Sequence, residues 1–407
     1  MEVIYERCCG IDVHKKMLAV CLFNGRQKEI RNFGTMTEDV LEMVKWLKEA
    51  DCQAVAMEST GVYWKPIYNL LEEEGMRLIV ANAQHIKSVP GRKTDVKDAE
   101  WIADLARHGL IRASFVPSRE QRELREITRY RQDLIEERAR EFNRIQAVLE
   151  GANIKLASII TDISGATGMR ILRAIVNGQE DAEQLSELAL GCARKKITDL
   201  QRALRGSVRE HQRVMLRHQL NHVEMLDSEI KLLDLEIKKK TEFAAEQIEL
   251  LDEIPGIGLQ SAQRIIAETG VIMEQFRTAD AFASWAGLVP GCNESAGKKK
   301  SSRIRKGNKF IRTVLVECSR ASIRHKDSYY YAKYCKIAAR RGGKRALVAI
   351  AHTMALAIYN ILLKKEHFRD LGYDYYNVLN SERIMKRNIS SLQALGFSVS
   401  LEPIPAL

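Results

Sequence analysis

The stretch CCGIDVHKKMLAVCLF, Cys8 to Phe23, organises the first part of this chain. Apolar and β-branched residues on either side of the basic pair Lys15 and Lys16 predict two strands joined by a tight turn. Asp12 breaks this pattern, because it falls where a strand would otherwise bury its side chains. An unpaired carboxylate in such a place is costly, so we expect Asp12 to be solvated at the sheet edge, paired, or bound to a metal.

The residues that follow alternate between strand and helix patterns as far as residue 108. Strands are predicted over 27–33, 54–57 and 77–81, and helices over 37–50, 64–74 and 94–108. The order β, β, β, α, β, α, β, α is typical of a mixed sheet covered by helices, with functional sites at strand ends. We therefore predict an α/β domain over residues 1–115.

Four acidic residues fall on three different elements of this domain. Asp12 lies inside the first strand, Glu58 ends the fourth strand, and Asp95 and Asp98 share one face of the last helix. Carboxylates brought together repel one another unless cations lie between them, and two Mg²⁺ ions about 3.5–4 Å apart suit phosphoryl transfer. We predict that these four residues bind metal. The alternative for Asp95 and Asp98 is an ordinary helix N-terminus, where acidic residues are favourable without a ligand.

Composition narrows the classes of function. The length of 407 residues predicts two or three domains. Residues 1–110 carry 15 Lys and Arg against 17 Asp and Glu, whereas the remainder carries 49 Lys and Arg against 36 Asp and Glu. The excess of basic residues, which suits binding of a polyanion, therefore lies outside the first domain. Eight cysteines without a CxxC pair indicate a reducing compartment and argue against zinc. Without a signal peptide or an uninterrupted membrane-spanning run, we expect a cytoplasmic protein with no membrane partner.

Two strongly charged helical patterns follow, at about 118–149 and 195–240. The second has an apolar seam that steps three, four, three, four, at Val223, Leu226, Ile230, Leu233 and Ile237. We predict that residues 116–245 form a linker region of two long helices, either an antiparallel hairpin or a coiled coil between two chains. Arginines of the first helix alternate with glutamates, so they either follow a phosphate backbone or form surface salt bridges. These arginines are Arg125, Arg129, Arg131, Arg138, Arg140 and Arg144.

The last predicted domain, residues 246–407, is mainly helical and begins with IPGIGLQSAQRIIAETG at 254–270. Gly256 and Gly258 precede a helix pattern, so backbone N–H groups at the helix start are left bare. This is the anion-binding geometry of helix-hairpin-helix motifs, which bind nucleic-acid phosphates without reading sequence. A glycine-rich turn with no ligand is the alternative.

Residues 285–312, WAGLVPGCNESAGKKKSSRIRKGNKFIR, contain the densest basic run of the chain. A run of seven Lys or Arg without an acid predicts contact with a phosphate backbone. The members of this run are Lys298, Lys299, Lys300, Arg303, Arg305, Lys306 and Lys309. Ser295 precedes them between small residues that allow a backbone or substrate to come close. Without further context, such a serine is usually an ordinary loop residue.

The helical tail from residue 310 to 363 adds further basic surface, which includes Arg340, Arg341, Lys344 and Arg345. Its tyrosines either stack on bases or, as we expect for most of them, pack in the core. We expect His352, on an apolar helix, to be a packed histidine.

Several of these segments together resemble the DEDD-type insertion-sequence transposases, the insertion sequence 110/1111 family of bridge recombinases. GIDVHK at 10–15, MESTGVYW at 57–64 and GRKTDVKDAEWIADL at 91–105 are similar to the RuvC-like (RNase H-like) catalytic domain of that family. Its four acidic letters match Asp12, Glu58, Asp95 and Asp98. GLVP, SAGK and RIRKGN are similar to the family's transposase domain, in which Ser295 matches the serine that attacks the scissile phosphate.

The resemblance implies a recombinase that excises and inserts a mobile element, with two Mg²⁺ ions and a covalent phosphoserine. It further implies three partners: double-stranded DNA of the element ends and target, a structured noncoding bridge RNA, and other copies of the chain in a homodimer that assembles into a tetramer. One alternative is a RuvC-like junction-resolving nuclease, in which water attacks and Ser295 is incidental. The other is a non-catalytic nucleic-acid-binding protein whose acids are structural.

Overall fold

The computed structural model describes residues 2–59, 61–81, 95–111, 113–291, 293–295, 298–301, 304–379 and 381–400. The side chains of 95–97, 293–295, 298–301, 382 and 384 lie outside this description. The chain divides into two compact units, Met1–Pro117 and Ser118–Leu407.

The first unit is a mixed sheet with helices on both faces. Its strands are β1 Arg7–Val13, β2 Leu18–Asn24, β3 Gln27–Phe33, β4 Ala54–Glu58 and β5 Leu78–Ala81, and its helices are α1 Thr37–Glu49, α2 Trp64–Glu73 and α3 Asp95–Arg107. The strands lie in the order β3-β2-β1-β4-β5. Strand β2 is antiparallel to both of its neighbours, β1 and β3, whereas β1, β4 and β5 are mutually parallel. Within the described residues, the predicted order of strands and helices is confirmed.

The two faces of this sheet bury different residues of β1, because side chains alternate along a strand. Cys9, Ile11 and Val13 pack with the apolar side chains of α1 and α2. The opposite face is covered by α3, and there Gly10 touches the helix: a Cβ built on Gly10 would lie 2.3 Å from the Ala99 carbonyl oxygen. Only a glycine allows α3 to come this close to β1.

We expect Gly10→Ala to lower the free energy of unfolding of the first unit by about 3 kcal/mol, because overpacking would push α3 away from β1. Gly25→Ala is the matched control, since Gly25 has a φ of +61° but a Cβ built on it would have nothing within 4 Å; it should cost about 1 kcal/mol. Urea-dependent hydrogen exchange of the β1 amides measures both. Equal losses in the two variants would contradict the close-packing argument.

The second unit is mainly helical, as predicted. Its longer helices are α4 Arg119–Gly151, α6 Ala166–Val176, α9 Glu210–Lys240, α11 Leu259–Thr269, α13 Lys309–Ser322, α14 Tyr329–Arg341, α15 Gly343–Lys364 and α17 Ser381–Ala394. Shorter helices are α5 Leu156–Ile159, α7 Ala182–Glu187, α8 Ile197–Ala203, α10 Ala245–Asp252, α12 Ala279–Trp285 and α16 Tyr375–Leu379, with 3₁₀ turns at Gly191–Lys196 and Glu242–Ala244. A two-stranded hairpin is formed by β6 Asn293–Ser295 and β7 Lys298–Ser301.

The two long helices α4 and α9 pair in antiparallel fashion within one chain. Arg131 pairs with Asp234, and Arg138 pairs with Asp227 at 2.6 Å, so partners run in opposite directions along the two helices. The hairpin alternative is therefore confirmed, whereas a coiled coil between chains stays a prediction. Most of the arginines singled out on α4 belong to such pairs or bond to backbone carbonyls. They are Arg125, Arg129, Arg131, Arg138 and Arg144. The predicted salt bridges are therefore confirmed, but Arg125 and Arg131 are largely buried and do not form part of a surface.

Two hydrophobic cores hold the second unit. One lies between α4, α6 and α9 and includes Ile145, Ile171 and Leu216. The other is built by α10 to α15. In the described part of the chain, α15 alone is long and apolar enough to cross a membrane by length and composition. Its Ile350 and Ile358 are fully buried in this second core, so we interpret it as a core helix.

Candidate active site

Two of the predicted acidic residues, Glu58 and Asp98, lie near a third, Asp12, at one edge of the sheet. In the parallel pair of β1 and β4, Ile11 lies opposite Met57, so Asp12 and Glu58 follow at the carboxyl ends of neighbouring strands. Both lie on the face that α3 covers. Ala99 of α3 packs against Gly10 on that face, which brings the neighbouring Asp98 toward Asp12. The negative charges of Asp98 and Glu58 both act on the Asp12 carboxyl.

The Asp12 side chain is held in an unfavourable environment for a carboxylate. Asp12 is only 8% exposed, and this burial is the main cause that raises its pKa. His14 opposes the effect, since its Nε2 lies 3.0 Å from Asp12 Oδ2, whereas the charges of Asp98 and Glu58 raise the pKa further. Our sequence reasoning missed His14, although its position two residues after Asp12 was a usable signal.

The chemistry of this edge fits a hard divalent cation, because carboxylate oxygens are the ligands that Mg²⁺ prefers and a cation would relieve their repulsion. Among the side chains that the structure describes, no group of three or more His, Cys, Asp or Glu is close enough to hold a metal ion. The side chain of Asp95 lies outside the described residues. The predicted site for two Mg²⁺ ions therefore stays a prediction.

Ser295 lies at the tip of the β6–β7 hairpin. It ends β6 and pairs with Lys298 at the start of β7, so the backbone there is a strand and not an irregular loop. Lys299 and Lys300 continue along β7. The side chains of these residues, and the whole of Arg303, lie outside the described residues. The remaining members of the basic run, Arg305, Lys306 and Lys309, are exposed.

The segments before and after this hairpin are in close backbone contact at Trp285, Gly287, Gly307 and Asn308, and we call this contact the clasp. The Asn308 N–H donates to the Trp285 carbonyl oxygen at 2.9 Å. A Cβ built on Gly307 would lie 2.4 Å from the backbone nitrogen of Gly287, so both positions leave no room for a side chain. The glycines of GLVP and RIRKGN thus serve the close approach of two backbones, which fixes the base of the serine hairpin.

Glu268 of α11, which our sequence reasoning missed, anchors this clasp to α4. It is 3% exposed and accepts hydrogen bonds from Arg129 Nε at 2.7 Å and Nη2 at 2.9 Å. Glu268 Oε2 also accepts from Asn308 Nδ2 at 2.7 Å, while Asn308 Oδ1 accepts from the Phe310 N–H and caps α13. Arg125 lies alongside and donates to the Ala267 carbonyl at 3.1 Å. Burial lowers the pKa of the Arg125 guanidinium to about 10.

We expect Glu268→Gln to lower the free energy of unfolding by about 3–5 kcal/mol, because it removes the buried negative charge that neutralises Arg129 and the largely buried guanidinium of Arg125. Glu317→Gln is the matched control. Glu317 pairs with Arg264 at 2.9 Å but its side chain is 50% exposed, so its loss should cost at most about 1 kcal/mol. Urea denaturation compares the two variants; a Glu268→Gln protein as stable as Glu317→Gln would show that the buried cluster contributes little.

The predicted phosphate-binding glycines have different structural roles. Gly256 has a φ of +91°, and a Cβ there would lie 2.5 Å from the Cys318 carbonyl oxygen of α13, so packing alone requires glycine. Gly258 is the N-cap of α11, where a Cβ would have Asp252 Oδ1 as its nearest neighbour, at 3.9 Å. Helices α10 and α11 flank this turn. Binding of nucleic acid by Gly256 and Gly258 stays a prediction.

Comparison with known proteins identifies the class. A family model of transposases, the DEDD transposase of IS110, matches residues 9–154, and a second, described as the transposase IS116/IS110/IS902 family, matches residues 248–335. The first match contains the acidic edge and the second contains the serine hairpin. The chain is therefore similar to DNA-acting transposases in both of its candidate sites.

Individual relatives agree with these matches. The chain is 26% identical to the transposase for insertion sequence element IS1111A of Coxiella burnetii, over 88% of this chain and 90% of the relative. It is 25% identical to a probable family 20 transposase of Pseudomonas aeruginosa, over 88% and 94%. An uncharacterized 44.8 kDa protein of insertion element IS116 from Streptomyces clavuligerus is 31% identical, over 53% of this chain and 60% of the relative. This chain belongs to the IS110 family of transposases, enzymes that cut and rejoin DNA.

Proposed function

We propose that this transposase cuts and rejoins the strands of a mobile element with a Mg²⁺-dependent carboxylate site and a serine nucleophile. The observation that carries the proposal is that Asp12 and Glu58 lie at the carboxyl ends of the paired strands β1 and β4, where the charge of Asp98 from α3 also acts on the Asp12 carboxyl. The strand order β3-β2-β1-β4-β5, with antiparallel strands on one side and parallel strands on the other, supports a RuvC-like (RNase H-like) domain. Asp95, in the first turn of α3, would complete the set of metal ligands.

In the proposed reaction the Ser295 hydroxyl attacks the scissile phosphorus. A bond from Ser295 Oγ to phosphorus forms, the phosphorus–oxygen bond to the sugar 3′ oxygen breaks, and that oxygen takes up a proton. Two Mg²⁺ ions, when bound by Asp12, Glu58, Asp95 and Asp98, would supply charge neutralisation at the phosphate. Attack by the 3′-OH of another strand on the phosphoserine restores the serine and rejoins DNA without ATP.

The backbone geometry of the hairpin supports this role for Ser295. Lys298 lies directly opposite Ser295 in the β6–β7 register, so the backbone pairs a basic residue with the proposed nucleophile. The clasp of Gly287, Gly307 and Asn308 holds the base of that hairpin in place. A rigid support of this kind limits the motion of a nucleophile relative to its phosphate.

The proposal includes the partners that the family resemblance implies. The substrate is double-stranded DNA at the element ends and at the target. A structured bridge RNA selects both by base pairing, and the basic surfaces of the second unit bind nucleic acid by shape and charge. The working assembly is a homodimer that forms a tetramer, in which Ser295 of one protomer acts beside the carboxylates of another. We place it in the cytoplasm, with no membrane partner.

The test is a covalent trap on a plasmid that carries the element with its flanking DNA and RNA. With Mg²⁺, we expect DNA strands that stay bound to protein after denaturation in detergent and are released by protease; with a chelator, we expect none. Cut DNA without bound protein would favour the hydrolytic nuclease. Mg²⁺-independent binding without any cutting would favour the non-catalytic alternative.

A further inference from the structure

A groove of about 740 Å³ lies in the second unit between α14, α15 and the segments that flank the serine hairpin. Its rim contains Arg340 and Arg341 at the end of α14 and Lys344 and Arg345 at the start of α15. The two helices meet at a sharp turn at Gly342, which has a φ of +81°. The four cations lie within six residues of sequence on either side of this turn. The groove therefore has a dense basic rim on one short connection.

Among the described residues, no neighbouring acid compensates these four cations. All four are exposed, and in the part of the chain that the structure describes none of them forms an ion pair with Asp or Glu. The arginines of α4 differ, because Arg129 and Arg131 are held by carboxylates. Structural ion pairing explains the basic residues of α4, whereas the rim of the groove has positive charge left for a ligand.

Much of the remaining lining of the groove, which we call its floor, is apolar. It includes Val289 and Pro290 before the hairpin, Ile304 after it, and Ile337 and Val348 from the two helices, beside Lys333, which donates to Thr353 Oγ1 at 2.7 Å. His352 adds a half-buried ring, and burial lowers its pKa, so it adds little positive charge near pH 7. An apolar floor below a cationic rim matches a nucleotide unit, which has a flat base and a charged phosphate.

The groove lies close to the proposed nucleophile. Pro290 pairs with Ile304 as an antiparallel bridge below the hairpin whose tip holds Ser295. Ser295 lies five positions after Pro290, so at most about 18 Å of chain joins them. Phosphates follow one another at about 3.4 Å along the axis of one duplex strand. A strand in the groove therefore lies within about five nucleotides of the phosphate at the serine.

We propose that this groove binds a single-stranded stretch of the DNA strand that Ser295 attacks. Its phosphates lie on the rim formed by Arg340, Arg341, Lys344 and Arg345, and an unstacked base lies on the floor at Val289 and Val348. A strand held on one side of the cut keeps the attacked phosphate at the hairpin tip. The identity of the strand rests on the proposed function, whereas binding of single-stranded DNA to the groove does not.

The first test measures binding of a short fluorescein-labelled oligothymidine to the full chain by fluorescence anisotropy. Removal of two single-strand phosphate contacts in R340Q/R341Q should weaken binding about 25-fold at about 0.1 M salt and reduce the slope of log K against log salt by about 1.4. The matched control K238Q/K239Q removes the same charge from exposed positions on α9, outside the groove, and should stay within about twofold of the wild type. Equal losses in both variants would overturn the proposal.

The second test locates the base. Oligothymidine with 5-iodouracil at one position, irradiated on the protein, should crosslink to the α15 peptide that contains His352, as identified by mass spectrometry. Crosslinks confined to peptides outside the groove would overturn the proposal. Tighter binding of oligouridine, with the effect of R340Q/R341Q confined to that RNA, would assign the groove to RNA and overturn it as well.

Both tests are carried out in the wild type and in Ser295→Ala, because binding needs no cleavage. If single-stranded DNA binds the groove but no covalent adduct forms in the plasmid trap, the proposed function is refuted and the proposal for the groove is not. If the covalent adduct forms but R340Q/R341Q binds single-stranded DNA as the wild type does, the proposal for the groove is refuted and the proposed function is not.

Discussion

Ser295→Ala is expected to abolish the covalent protein–DNA adduct and to lower strand joining by at least about 10⁴-fold, as loss of a nucleophile does in other covalent enzymes. Alanine has no oxygen to form the phosphoester, yet it keeps the backbone pairing of Ser295 with Lys298. DNA binding by the variant should therefore match that of the wild type. Gel analysis of denatured reactions measures the adduct, and filter binding measures affinity.

The matched control for this substitution is Ser301→Ala, which changes the same side chain on the returning strand β7 of the same hairpin. It should leave both adduct and joining within about twofold of the wild type, as is usual for a change away from the reacting atoms. A Ser295→Ala protein that still cuts DNA would exclude the serine mechanism and favour water as the nucleophile.

Asp12→Asn is expected to lower cleavage by at least about 10³-fold, because the amide keeps the size of the carboxylate but not the charge required to bind a metal ion. We expect its stability to be unchanged or higher. Burial and the charges of Asp98 and Glu58 raise the pKa of Asp12, so its ionised form costs stability at neutral pH. That cost is full above the raised pKa, shrinks as the pH falls below it, and is gone only below the ordinary pKa of 3.8, whereas the amide removes it at every pH.

Cleavage of the plasmid and thermal unfolding between pH 4 and about pH 8 measure the two effects of Asp12→Asn. Asp104→Asn, on the same helix α3 but paired with His108, is the control and should keep its activity. Full activity in Asp12→Asn would show that the acidic edge is structural and would favour the non-catalytic alternative.

The close contacts around the candidate sites give several glycines, and Glu268, structural roles that the sequence motifs did not indicate. At Gly10, Gly287 and Gly307 the backbone of another segment lies so close that a side chain would not fit. Gly256 was interpreted as a phosphate-binding residue, and the structure adds a packing requirement against α13. In a sequence these positions look like any other glycine in a turn, because the atoms they meet belong to distant segments.

The sequence by itself determined the order of the described strands and helices in the first unit, the positions of Asp12 within the first strand and Glu58 at the end of the fourth, and the two long helices. Each of these depends on periodicity or on residues within one element, which are local properties of a chain. Only the tertiary structure decided which arginines are neutralised and which are free for a ligand. The partner of Arg129 lies 139 residues away at Glu268, whereas Arg340 and Arg341 have no such partner among the described residues. Charge compensation between distant residues depends on packing, which no local pattern encodes.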